Sequence, residues 1–120
     1  MSNAFVHVEL NTQDVARAKS FYQALFDWKL NDVDMGDMTY TMIDVGQGTG
    51  GGMMKHPVAG APSMWLPYVQ VDDIAAAIAK AKSLSATVVL DVKEVMNAGL
   101  LSIITDPTGA MLGFWQPKAK

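Results

Sequence analysis

The pattern of elements in this chain runs twice, and that repetition restricts the fold more than any local motif. Phe5 to Leu10 (FVHVEL) alternates as a strand does. Thr12 and Asp14 follow, short oxygen side chains suited to capping free N–H groups at a helix start. An apolar stripe at helical spacing comes next: Val15, Ala18, Phe21 or Tyr22, Leu25 and Phe26. Trp28 to Met35 and Thr39 to Val45 read as strands, Gly46 to Gly52 as a glycine-rich turn, and Met53 to Lys55 as a short fourth strand. His56 to Ser63 (HPVAGAPS) has the content of a linker. The second pass is a strand at Trp65 to Val71, then a helix from Ile74 to about Leu84 behind the capping pair Asp72-Asp73. Strands follow at about Thr87 to Val95, Leu100 to Thr105 and Met111 to Gln116. Asp106-Pro107-Thr108-Gly109 fits a type I turn between the last two. The order predicts an α+β fold of two βαβββ modules, at about 5–55 and 64–117, joined by a linker at about 56–63. A non-duplicated α+β arrangement is the alternative.

With 120 residues, half of them apolar and 18% charged, the chain has material for one core and one domain, 1–120. A net charge of −3 without a Lys/Arg cluster argues against nucleic acid. The absence of cysteine removes disulfides, thiolate nucleophiles and cysteine–zinc sites together. No apolar run nears the roughly 20 residues of a membrane span, and the first residues lack a signal-peptide pattern. A cytoplasmic protein without membrane contact is therefore expected.

On the first strand Phe5, His7 and Glu9 share one face, and Val6, Val8 and Leu10 the other. The apolar set is expected against the helix, which turns His7 and Glu9 to the opposite face of the sheet. There His7 would hydrogen-bond or protonate a ligand; the plainer alternative is a partly buried structural imidazole. Glu9 is either half of an acid–base pair with His7 or a solvated salt-bridging residue. In the second module Leu66, Tyr68 and Gln70 share a face, which adds Tyr68 and Gln70 to the polar groups of an apolar pocket. Of nine methionines most are expected in the core, with Met42, Met53 and Met54 as candidate walls of a plastic cavity. Trp115, on one face with Met111 and Gly113, is a candidate to stack on a planar ligand, or else a core or dimer-interface ring. Gly46 to Gly51 formally matches G-x-G-x-x-G but opens no helix, so a hairpin loop is expected rather than a dinucleotide site. His56, beside Pro57, is expected to be exposed and idle, and no serine stands in a triad motif.

The strand bearing His7, the helix within DVARAKSFYQALFDWKL and the closing TDPTGAMLGFWQP, in this order, resemble the vicinal-oxygen-chelate superfamily of glyoxalases, bleomycin-resistance proteins and dioxygenases. The likeness covers nearly the whole chain. It implies curled mixed sheets around a cavity and, commonly, a homodimer. It also implies a metal ligand on each of four strands, typically His or Glu. His7, seven residues before Asp14, matches the first position, and the fourth-strand position falls among Gly52, Met53 and Met54. Seven before Asp73 stands Leu66, and seven after Asp106 stands Gly113. Only His7 is of ligand type. Zinc, iron or manganese sites need three or four converging N/O donors, so no cofactor is expected. A divalent metal would need a relocated set such as His7, Glu9 and Asp44. The leading functional reading is a metal-free small-molecule binder. The alternatives are a lyase, isomerase or dioxygenase-like enzyme, metal-dependent or relying on His7, and an accessory interaction module.

Overall fold

The computed structural model describes residues 3–36 and 38–118. The elements run β1 (Phe5–Thr12), α1 (Val15–Leu25), β2 (Lys29–Asp34), β3 (Thr39–Asp44), β4 (Gly51–Lys55), β5 (Met64–Gln70), α2 (Ile74–Ser83), β6 (Thr87–Val95), β7 (Gly99–Thr105) and β8 (Met111–Pro117). This is the α+β class, with βαβββ taken twice. In the first repeat the strands lie in the order β2-β3-β4-β1, and in the second β5-β8-β7-β6. β1 pairs with β4 and β5 with β8 in parallel; the other pairs within each repeat are antiparallel. Contacts gather the chain into two compact units. One is His7–Leu66; the other joins the residues through Val6 to those from Pro67 onward.

Each helix starts the same way. Asp14 Oδ1 accepts from the Arg17 amide and Asp73 Oδ1 from the Ala76 amide, both at 3.1 Å, which satisfies a helix-start donor that otherwise lacks a partner. Under α1 the core is Leu10, Ile43 and Met53, with Val15, Ala18 and Tyr22 packed on it. Phe21 was an equal candidate for this stripe; it is 57% exposed, because the 15-18-22 row faces the sheet and position 21 falls beside it. Under α2 the core is Val71, Ile74 and Ile78, with Leu100 and Phe114 against it.

Two sequence expectations need correction. β4 begins at Gly51 rather than Met53, so Gly51 and Gly52 belong to the strand and not to the turn. Glycine is required there by close approach, since a Cβ on Gly51 would overlap the Val8 carbonyl of the parallel neighbour. Met53, a candidate cavity wall, has no exposed surface and sits in the helix-side core with Leu10 and Ile43. Its register partners explain this: Met53 stands beside Leu10 on β1 and Thr41 on β3, the face that α1 covers.

Candidate functional site

The next row along the same strands faces the other way. Glu9 stands beside Gly52, and Gly52 beside Met42. His7 precedes Glu9 by two residues and Tyr40 precedes Met42 by two, so alternation puts all four side chains on the face opposite α1. There the Tyr40 hydroxyl donates to Glu9 Oε1 at 2.9 Å and lies 2.8 Å from His7 Nε2. The His7 and Tyr40 rings are nearly parallel, 24° apart in plane. A hydroxyl has one hydrogen, and here it goes to Glu9. His7 Nε2 is then the donor to the Tyr40 oxygen, which makes a chain from His7 through Tyr40 to Glu9. Glu9 is only 6% exposed, so its carboxylate depends on such partners. Burial holds the His7 pKa below the usual imidazole value, which keeps the ring neutral at neutral pH.

In the second unit Tyr68 stands beside Gly113 and Gln70 beside Trp115. Tyr68 is 3% exposed, and its ring lies where a Gly113 side chain would project. The Trp115 ring covers Gly99 in the same manner. The Gln70 backbone amide donates to the Ala4 carbonyl, and its own carbonyl accepts from Asn3 Nδ2, both at 2.9 Å. The other candidates fall as follows. Met42 is 42% exposed on the Glu9 face. Met54 is half-buried beside Asn11. His56 was expected to be idle, yet its Nδ1 accepts from the Val58 amide at 3.0 Å, holding the turn after β4.

Tyr40 was not among the sequence candidates. Its place in TYTMID, in phase with Met42, was the available signal. A groove of about 410 Å³ opens elsewhere in the first unit, lined by Lys19, Asp32, Thr41, Met54, Lys55 and His56 among others. Neither His7 nor Glu9 lines it, and two of its charges are paired with each other: Lys19 bridges Asp32 at 2.9 Å. That lysine, and next the Thr41 hydroxyl, hold the Asp32 carboxyl below the usual carboxylate range. The polar chain on the other face is therefore the stronger candidate site.

The residues present do not fit the metal that the fold suggests. Gly52 and Gly113 bring no donor, and rings of Tyr40 and Tyr68 fill the space their side chains would need. Asp44, the third member of a relocated set, instead accepts from the Gly46 amide at 2.9 Å. Among the described residues no three His, Asp or Glu gather as a metal-holding group.

The Glyoxalase/Bleomycin resistance protein/Dioxygenase superfamily matches by its sequence profile over residues 4–114. The chain belongs to this superfamily. Two mycobacterial relatives, from Mycobacterium tuberculosis and Mycobacterium bovis, are 37% identical over 114 residues; both bear the name CFP32, provisionally a glyoxylase. The match takes in 91% of this chain and 44% of theirs, so the chain spans less than half the length of those relatives. Among solved structures, a hypothetical protein from Bacillus halodurans C-125 has a TM-score of 0.75 at 13% identity, covering 100% of this chain and 98% of that one. Methylmalonyl-CoA epimerase from Mycobacterium tuberculosis has a TM-score of 0.71 at 14% identity, over 96% of this chain and 88% of the epimerase. At such identities the likeness is one of fold, a scaffold that carries many functions. Among the described residues no helix is long and apolar enough to cross a membrane.

Proposed function

We propose that this superfamily member binds a small molecule oriented by His7 and Glu9 without help from a metal. The reading is carried by one observation, the hydrogen-bond chain from His7 through Tyr40 to Glu9. A few convergent polar groups beside adaptable apolar side chains are what orients a small ligand; Met42 is the adaptable neighbour on that face, and Met54 stands as a further candidate at the Lys19–Asp32 groove. Tyr68, Gln70 and Trp115 stand as further ligand-contact candidates in the second unit. Met53 leaves the candidate set on its burial. The proposed setting is the cytoplasm, as a homodimer; light scattering of the purified protein checks the dimer.

A second reading has its own support. A half-buried, neutral imidazole is in the state that a general base needs, so His7 also suits proton abstraction by an isomerase or lyase. One experiment separates the readings. Small metabolites are screened by thermal shift in the presence of a chelator, with turnover followed on the same panel. The binder predicts a ligand that raises the melting temperature by mass action, with the shift lost in a folded His7→Ala variant and no turnover. Turnover that disappears in His7→Ala supports the enzyme. Ligand shifts that need added metal, or that survive His7→Ala unchanged, contradict the proposal.

A further inference from the structure

Gly52 and Tyr40 fit each other as seat and occupant. Gly52 is buried in β4 and forms the row with Glu9 and Met42. A Cβ built on it would overlap the Tyr40 hydroxyl and the ring carbons beside it. Tyr40 itself belongs to β3, two residues before Met42, so its ring reaches diagonally along the sheet and across Gly52 to arrive at β1. Only a missing side chain at position 52 leaves room for that path. At its end the hydroxyl meets both His7 and Glu9.

We infer that Gly52 is a seat for the Tyr40 ring, and that Tyr40 is the positioning residue that fixes His7 with its proton on Nε2. The inference concerns the same site as the proposed ligand set and adds a residue to it. It also has a consequence for metals: the phenol takes the space over Gly52, where β4 has no donor, and engages His7 Nε2 itself. Tyr40 thereby favours the tautomer with hydrogen on Nε2, and hence the donor role of that nitrogen.

The test is a long-range proton–nitrogen correlation spectrum of the nitrogen-labelled 120-residue chain at neutral pH. His7→Gln assigns the signals, since His56 is the only other histidine. The wild type is expected to show His7 with a protonated Nε2 and a bare Nδ1. Tyr40→Phe, which keeps the ring and removes the hydroxyl, is expected to draw the two nitrogen shifts toward each other as the tautomers mix. Gly52→Ala, which keeps the hydroxyl but displaces the ring, is expected to give the same spectrum as Tyr40→Phe. Combining the two is expected to add nothing further. A merely structural role for Gly52 would lower the melting temperature without moving the His7 nitrogens.

A His7 pattern unchanged by Tyr40→Phe, or one with the proton on Nδ1 in the wild type, overturns the tyrosine's role. Gly52→Ala with wild-type spectrum and melting temperature overturns the seat. Should Gly52→Ala fail to fold, Tyr40→Ala with Gly52→Ala is expected to fold and melt above it, because the overlap is gone; equal failure of both also overturns the seat. A ligand-induced thermal shift lost in His7→Ala, alongside an unchanged His7 pattern in Tyr40→Phe, would remove this inference and leave the binding reading intact.

Discussion

Each repeat sets a glycine of its last strand beside a long side chain of its first, and the two repeats use that position differently. Glu9 stands beside Gly52, and Tyr68 beside Gly113. Two residues before them come His7 and Leu66. In the second repeat the tyrosine covers its own partner glycine, and the residue two before it is the apolar Leu66 rather than a histidine. In the first repeat the covering ring comes from β3. That leaves β1 to carry an imidazole and a carboxylate, with the phenol joining them. One backbone row thus holds packing in one copy and hydrogen-bond chemistry in the other. The helices divide in the opposite sense: α2 buries Ile74 and Ile78, whereas α1 buries no residue.

The largest expected effect tests that division of the helices. Ile74→Ala or Ile78→Ala should cost about 2–5 kcal/mol in urea denaturation, while Phe21→Ala or Leu25→Ala on α1 should stay within about 0.5 kcal/mol. Comparable losses on both helices would mean that a second copy covers α1. Next, Gly113→Ala drives a methyl into the Tyr68 ring, which is 3% exposed. It should cost about 1–3 kcal/mol, and more than Gly52→Ala, whose half-buried Tyr40 can swing aside. The reverse order would break the comparison. Asp14→Ala and Asp73→Ala should each lose about 1 kcal/mol, because the two caps are alike; unequal losses would show that the repeats differ at their helix starts too.

The smallest effect is electrostatic. Asp32 is held below the usual carboxylate range chiefly by Lys19, and Asp106 chiefly by the Thr108 hydroxyl. In both, the folded carboxyl has the lower pKa. Each contribution to stability is therefore present above the ordinary carboxylate pKa and is lost as pH falls through the folded value. Concentrated salt should raise the Asp32 midpoint toward normal and leave Asp106 nearly unmoved, as carboxyl-carbon NMR titrations at low and high salt would record. Equal salt responses would deny the difference in cause.

Much of this was legible beforehand. The doubled element order, the caps at Asp14 and Asp73, and the face shared by His7 and Glu9 follow from spacing alone, because alternation and helical period are local rules. The Asp106 turn was legible as well, and the Gly109 amide does close it on the Asp106 carbonyl at 3.0 Å. Tyr40 was not. Its contact depends on β3, β4 and β1 lying side by side, and on a ring running diagonally over a glycine, neither of which a period reveals. Gly51 and Gly52 were read as turn because glycine is a weak strand former, whereas close neighbours make them strand. Met53 and its neighbour Met54 were both candidates although adjacent strand residues face opposite sides, and only the register with Leu10 and Thr41 tells which one α1 covers.

The central claim is that the first repeat's polar set works without a metal, and elemental analysis tests it most directly. Untagged protein, purified without chelator, is loaded in turn with Zn(II), Ni(II), Mn(II) and Fe(II), desalted and measured. The account predicts no metal above trace under any loading. Near-stoichiometric metal in the wild type, lost in His7→Ala, would contradict it and show that His7 recruits donors other than those the Tyr40 chain leaves in place.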